Sequence, residues 1–315
     1  MGTVFVSGAL PGGVTAWLAG RHDVVQHDGG VATEAFSEVA PRLEGLVSLL
    51  TDRVDAALLA RAPRLRVVGN VAVGVDNIDL DACRARGVVV TNTPDVLTEA
   101  TADLAFALLL GAARRVGEGD RTVRAGAFGG WTPSYMLGAR VHGATLGVLG
   151  LGRIGRAVAR RARGFSMNVL YTQKRRAPET VEQELSARFV DLAELLGQSD
   201  FVSVHCPLSP ETRHLLDRER IASMRRGAVL VNTARGPIVD EAALADALAT
   251  GHLAAAGLDV FEDEPRVHPA LLSSPGALMT PHIGSADRHT REAMARLAAE
   301  NVDLVLSGNP PKTPV

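Results

Sequence analysis

The chain has 315 residues, of which 46% are apolar and 22% charged, and its 33 Lys and Arg nearly balance 35 Asp and Glu. At roughly 150 residues per domain this length predicts two domains, and the composition lies far from the polar, highly charged range in which chains stay disordered. A formal net charge of -2 gives no field that would gather a polyanion, so neither nucleic acid nor a membrane surface is expected as a partner.

From the N-terminus, β-rich runs at 4–7, 24–26, 46–50, 66–70 and 88–91 alternate with Ala- and Arg-rich helical stretches. This is the pattern of βα units building a parallel sheet. No basic residue precedes Arg21, and the longest apolar run, 104–113, is about half of the ~20 residues that span a membrane. Neither a signal peptide nor a membrane helix is expected. Residues 98–116 read as one long apolar helix with Leu104, Ala107, Leu108 and Gly111 on a shared face, a bridge between domains and a surface for dimer packing.

A second alternating series follows, with strands at 145–149, 168–171, 201–205, 229–232 and 255–260 and helices at 154–163 and 241–249. A last helix, 287–306, comes after this series closes and is expected to return to the first domain, leaving 308–315 as a Pro-rich tail. The expected architecture is α/β, with two Rossmann-like or flavodoxin-like domains, each a doubly wound parallel sheet. A substrate domain of residues 1–97 and 286–315 would carry an inserted dinucleotide-binding domain of residues 98–285. Cys83 and Cys206 lack the clustering of a zinc site or a disulfide scaffold. No metal is expected, and the chain reads as reduced and cytoplasmic.

Gly150-Leu-Gly152-Arg-Ile-Gly155 follows the strand at 145–149 and opens a helix with Ile154, Val158, Ala159 and Ala162 inward. The first glycine permits the turn, the second lets a phosphate approach the backbone, and the third lets helix and strand pack, so a pyrophosphate can rest on the helix N-terminus. NAD-specific sites place an acid at the end of the next strand to hold the ribose hydroxyls. Here that strand ends at Tyr171-Thr172 and is followed by Gln173, Lys174, Arg175 and Arg176, cations suited to a 2′-phosphate. NADPH is therefore the expected cofactor, with NADH as the alternative.

Arg235 in Asn-Thr-Ala-Arg-Gly, Glu264 in an acidic loop and His282 in Thr-Pro-His-Ile-Gly-Ser all stand beside strand ends or the exit of the second domain, where open α/β sheets bind ligands. A hydride acceptor bearing a carboxylate needs a guanidinium to bind and polarise it, an imidazole to deliver the proton, and a carboxylate to hold that imidazole protonated and oriented. Arg235, His282 and Glu264 fill these roles in turn.

With Ala72-Val-Gly-Val-Asp-Asn77, Thr93-Pro-Asp-Val-Leu-Thr98, Ala102-Asp-Leu-Ala-Phe106, His205-Cys-Pro-Leu208 and Ala256-Gly-Leu-Asp-Val-Phe261 in the same order, the chain resembles the D-isomer-specific 2-hydroxyacid dehydrogenases over nearly its whole length. Thr93 to Thr98 and Pro281-His-Ile-Gly-Ser-Ala286 look like the glyoxylate/hydroxypyruvate reductase branch, which often takes NADPH. The resemblance implies that Arg235, Glu264 and His282 are the catalytic residues. It also implies that the substrate is a small 2-oxoacid or 2-hydroxyacid, held by the Val73 and Gly74 amides with Leu50, Arg235 and His282. Around the cofactor it sets Thr101, Pro207, Thr233, Asp259 and Gly284, with Asp259 at the nicotinamide carboxamide. The set is completed by Gly150, Gly152, Arg153, Ile154, Gly155, Thr172, Lys174, Arg175, Cys206, Thr212 and Ala234.

A homodimer is implied as well. The segment from Gly129 through Trp131 and Tyr135 to Gly138 is shorter than in the reductase branch, and Trp131 or Tyr135 either reaches a neighbour's pocket or serves ordinary dimer packing. Alternative readings are a phosphoglycerate or bulkier-oxoacid dehydrogenase, and a non-catalytic NAD(P)H-sensing binding protein.

Overall fold

Short valine-rich runs become strands buried on both faces, as parallel sheets covered by helices require. In the computed structural model, which describes residues 1–315, the chain divides into two units, Met1–Leu97 with Ser285–Val315, and Thr98–Gly284.

Unit 1 contains β1 (Thr3–Val6), α1 (Val14–Ala19), β2 (Asp23–Gln26), α2 (Glu34–Val39), β3 (Gly45–Ser48), α3 (Ala56–Arg61), β4 (Val67–Asn70), α4 (Leu80–Ala85) and β5 (Val89–Thr91). Its sheet runs β2-β1-β3-β4-β5 with every pair parallel, the flavodoxin-like order. Phe5 and Phe36 meet edge to face at 5.2 Å under this sheet, among Leu43, Leu46, Leu59 and Val68.

Unit 2 contains α5 (Thr98–Ala113), α6 (Val116–Arg124), β6 (Thr145–Leu149), α7 (Arg153–Gly164), β7 (Asn168–Thr172), α8 (Glu179–Leu185), β8 (Ala187–Phe189), α9 (Leu192–Gln198) and β9 (Phe201–Val204). It continues through α10 (Arg218–Ser223), β10 (Val229–Asn232), α11 (Glu241–Ala249), β11 (Ala255–Leu258), α12 (Pro269–Leu272) and β12 (Ala277–Met279). The seven strands run β12-β11-β10-β9-β6-β7-β8, all parallel. Counted from β6, this is the Rossmann order with a further strand, and its direction reverses between β6 and β9. β8 and β12, three residues each, lie at the two edges and are too short to show a period in sequence.

Two expectations are corrected. The helix expected at 98–116 ends at Ala113, and a second helix starts after Arg115, whose φ of 55° is left-handed. The returning chain takes the freed terminal carbonyl, Ala139 N donating to Ala113 O at 2.8 Å. Arg115 pairs with Glu118 at 2.7 Å. Of the residues expected to share a face, Leu108 and Gly111 are buried, Leu104 is half-buried and Ala107 is exposed.

The last helix, α13 (Arg288–Leu306), belongs to unit 1 and packs on β3 and β4. The Pro-rich segment after it is docked on the first sheet. Thr91 bridges Pro314 in antiparallel fashion, Val315 N donates to Val90 O at 3.0 Å and Asn92 N to Thr313 O at 3.3 Å. The otherwise open edge of β5 is thereby covered.

Helix starts are written in the sequence. Asp55, Asp79, Asp191, Asp217, Asp240 and Asp287 each accept a first-turn amide at the start of α3, α4, α9, α10, α11 and α13, the capping role for which a short carboxylate is suited.

Candidate active site

In unit 2 the glycine turn after β6 lies at the point where strand order reverses. Gly150 has φ 97°, and a Cβ there would stand 2.8 Å from Cys206 N; a Cβ on Gly155 would stand 2.1 Å from Gly150 O. Both positions therefore require glycine. Gly152 differs, since a Cβ there would meet no protein atom within 4 Å, and it precedes the twelve-residue α7 with no side chain capping the helix amides. Open space above uncapped helical N–H groups fits a dinucleotide pyrophosphate. The hydroxyl of Thr233, beyond β10, is buried with no partner in the protein, a second group that a bound cofactor would satisfy.

The remaining cofactor candidates are spread over the same strand ends. Arg153 and Ile154 open α7, Thr172 ends β7, Cys206 and Pro207 follow β9, and Ala234 follows β10. Burial pushes the Cys206 thiol up to about 11, so it stays protonated near neutrality. Thr101 and Gly284 are neighbours, the threonine methyl lying 3.5 Å from where a Gly284 Cβ would be. Thr212 is occupied locally, because its hydroxyl accepts from Ser209 N and donates to Pro207 O, both at 2.7 Å.

The basic run after β7 divides. Lys174 and Arg175 are exposed. Arg176 turns back to Glu182 with bonds of 2.9 and 2.7 Å, and Tyr171 also donates to Glu182. The Arg176 guanidinium and the Tyr171 hydroxyl hold the Glu182 carboxyl down at about 2. Gln173, in the place of an acid, receives Leu151 N from the glycine turn at 2.9 Å.

Arg235, Glu264 and His282 are brought together by the loops after β10, β11 and β12. Loops carrying Arg235 and Glu264 press closely, for a Cβ on Gly236 would fall 1.9 Å from the Phe261 carbonyl. His282 Nδ1 and Glu264 Oε2 are 2.8 Å apart, and Glu264 Oε1 receives Phe261 N at 3.0 Å. Burial raises the Glu264 pKa, but hydrogen bonding and charge from His282, the Phe261 amide and the Arg235 charge outweigh it and leave the carboxyl below its ordinary value. An ionised carboxylate only accepts, so Nδ1 carries the hydrogen and Nε2 is the nitrogen available to a substrate.

His282 itself has φ 53°, a left-handed conformation uncommon outside glycine. It is held there by Asp259. The buried Asp259 carboxylate receives Thr280 Oγ1 at 2.6 Å, Ile283 N at 2.8 Å and Gly284 N at 2.7 Å, while His282 N donates to Asp259 O at 2.9 Å. Burial raises the Asp259 pKa against the pull of those donors.

No local spacing in the sequence displays this support. Nor does it display the clasp in which Glu262 N donates to Glu241 Oε1 at 2.8 Å and Glu241 N to Glu262 Oε1 at 2.9 Å, fixing the base of the Glu264 loop. Acids at strand and helix ends were visible; their reciprocal pairing across 21 residues was not.

In unit 1, Leu50 lies just beyond β3, and Val73 and Gly74 lie beyond β4. The Val73 and Gly74 N–H groups donate to no acceptor within the unit.

Residues 106–284 match the family described as D-isomer specific 2-hydroxyacid dehydrogenase, NAD binding domain. The chain is 48% identical to a glyoxylate reductase of Pyrococcus horikoshii over 287 residues, 90% of this chain and 86% of that one. Among solved structures it is similar to the TT0316 protein of Thermus thermophilus, with TM-score 0.93, 47% identity and 99% of both chains covered. It is also similar to an NADPH-dependent glyoxylate/hydroxypyruvate reductase of Sinorhizobium meliloti in complex with NADP and malonate, with TM-score 0.89, 34% identity and 100% and 96% covered. A glycine turn built for a dinucleotide, a histidine paired to a carboxylate beside an arginine, and likeness over the full length agree: the chain belongs to the D-isomer-specific 2-hydroxyacid dehydrogenases, a family of oxidoreductases.

Proposed function

We propose that the protein reduces a small 2-oxoacid, glyoxylate or hydroxypyruvate, to the D-2-hydroxyacid with NADPH. The observation that carries this reading is the 2.8 Å His282–Glu264 pair beside Arg235. A bound nicotinamide dinucleotide supplies the hydride, which adds to C2 of the oxoacid. His282 gives its Nε2 proton to the oxygen that becomes the hydroxyl, while Glu264 keeps the ring oriented and balances its charge. Arg235 binds the substrate carboxylate and polarises the carbonyl. Unit 1 is the substrate domain, supplying the Val73 and Gly74 amides and the Leu50 side chain, and unit 2 is the dinucleotide-binding domain. Asp259 orients the His282 turn and would help to hold the nicotinamide carboxamide of a bound cofactor. The 2-oxoacids are the chemistry reported for the glyoxylate reductase relatives.

NADPH is preferred because β7 ends without a carboxylate and exposed Lys174 and Arg175 follow. Arg176 is left out of this role by its pairing with Glu182. The two cysteines are free, in keeping with a cytoplasmic enzyme, and no helix is long and apolar enough to cross a membrane.

NADPH oxidation, followed by absorbance with glyoxylate, hydroxypyruvate, pyruvate and a phenyl-substituted 2-oxoacid and repeated with NADH, tests the reading. Rapid NADPH-dependent turnover of the small acids is expected, and Lys174→Ala should raise the KM for NADPH about tenfold while leaving that for NADH near its parent value, as loss of one charge-assisted contact implies. Equal efficiency with both cofactors would remove the preference, and turnover of the phenyl-substituted acid alone would refute the small-substrate reading.

A further inference from the structure

Side-chain amides join the turns that follow β3 and β4. Asn77 Nδ2 donates to Leu49 O at 3.2 Å and to Asp52 O at 2.9 Å, and Asn70 Nδ2 donates to Gly74 O at 2.9 Å. The two carboxamides also face each other, each nitrogen 3.3 Å from the other's oxygen, and Ser48 Oγ donates to Asn70 Oδ1 at 3.1 Å. Asn70 is fully buried. From β5, Asn92 Nδ2 donates to Val73 O at 2.8 Å and Thr93 N to Ala72 O at 2.9 Å.

These bonds give the second turn a polarity. The carbonyls of Ala72, Val73 and Gly74 each have a donor inside the unit, whereas the Val73 and Gly74 amides have no acceptor there. Carbonyl dipoles turned inward and N–H groups left over make a surface that welcomes an anion. The first turn is closed as well, with Leu49 N donating to Asp52 Oδ2 at 2.7 Å and Asp52 N to Leu49 O at 3.1 Å. Ser7 and the Val31 amide complete the shell around Asp52. Leu50 therefore rides on a closed turn that side chains tie to the Val73–Gly74 turn through Asn70 and Asn77, with Ser48 as a further donor to Asn70.

We propose that Asn70 and Asn77 are positioning residues that set the separation between the Leu50 turn and the Val73–Gly74 turn, and through it the affinity for, and the size limit on, the 2-oxoacid. The proposal rests on the substrate role given to these turns above. An apolar side chain of the same size would leave the Leu49, Asp52 and Gly74 carbonyls without these donors, and the turns would then be held only at their ends, by the backbone bonds from Val71 N to Ser48 O and from Val54 N to Asn77 O. The smallest acids, which depend most on close contact, lose most.

The test compares steady-state kinetics of the parent with Asn77→Ala, Asn77→Asp and Asn92→Ala, each checked for cooperative thermal unfolding. Asn77→Ala should raise the KM for glyoxylate at least about tenfold with kcat reduced less than about threefold and the KM for NADPH unchanged. The efficiency ratio of the phenyl-substituted acid to glyoxylate should rise. Asn77→Asp, which keeps the shape but sets a charge against two carbonyls, should do at least as much. Asn92→Ala, losing one bond to the same turn, should raise the KM about threefold. A glyoxylate KM within twofold of the parent in both alanine variants overturns the proposal, as does a kcat that falls as far as kcat/KM. If the Asn77 variants do not fold, Asn92→Ala decides alone. If the parent reduces no 2-oxoacid, the proposed activity falls, and calorimetric binding of oxamate to the NADPH-loaded enzyme judges the positioning. An unchanged Kd in the Asn92→Ala variant, or no binding by the parent, overturns it.

Discussion

At His282 an uncommon backbone conformation and a paired carboxylate coincide. A histidine at φ 53° persists only where its surroundings over-determine it, and here Asp259, Thr280 and the 283–284 amides do so. His282→Ala should lower turnover by about 10²- to 10⁴-fold, the usual worth of a positioned general acid, with NADPH affinity little changed; near-normal turnover would remove His282 from the reaction. Glu264 adds a pH signature. Its folded pKa lies below the ordinary value, so its contribution to stability is complete above the unfolded pKa of about 4.3 and fades as the pH falls through the lower folded one. The stability difference between the parent and Glu264→Gln should thus be flat above about pH 5 and shrink in acid, measured by urea unfolding across that range. A difference that grows in acid would contradict it. The three reactive side chains were legible as residue types at strand ends. Their support was not, because Asp259, Thr280, Glu241 and Glu262 act through contacts that no local spacing displays.

Among the elements, the glycine turn into α7 is the one that the sequence specified most fully. Two of its glycines are required by protein atoms, and the third, Gly152, leaves open space at the start of α7. Gly155→Ala would drive a methyl into the Gly150 carbonyl, an overpacking that costs about 1–3 kcal/mol and also displaces the turn. The Tm should drop and the Kd for NADPH should rise together; a change in neither would mean that helix and strand separate freely. The C-terminal segment shows the opposite case. Its prolines read only as a Pro-rich tail, yet the fully buried Asn301 receives Lys312 N at 2.7 Å and donates to Thr313 Oγ1 at 2.8 Å. Asn301→Ala should destabilise by about 1–2 kcal/mol, since it strands polar groups at the β5 edge. Denaturant midpoints equal to the parent's would show that the docked segment adds nothing. The break of the 98–116 helix at Arg115 was equally hidden, because the residues from Ala113 to Val116 carry no proline or glycine stop and the returning chain at Ala139 supplies the reason.

For the molecule as a whole, exposed large apolar residues gather in one stretch, with Val116, Val123, Phe128, Trp131 and Leu137 all more than half exposed. Such concentration marks an interaction surface, and we expect a homodimer formed through it. Light scattering on the eluting protein should give twice the 33.1 kDa of one chain, and Trp131→Glu should shift it towards one; a monomeric parent would end this expectation. Alternating valine-rich strands and Asp-capped helices, the glycine turn and the strand-end Arg, Glu and His were set by local chemistry, since periodicity, capping and turn preference act over a few residues. The strand order on either side of β6 and the docking of residues 312–315 depend on pairings between residues far apart in the chain. So do the carboxylate supports of His282 and the amide clasp of Asn70 and Asn77. These follow from packing complementarity and from the need to pair every buried polar group, which only the folded chain can meet.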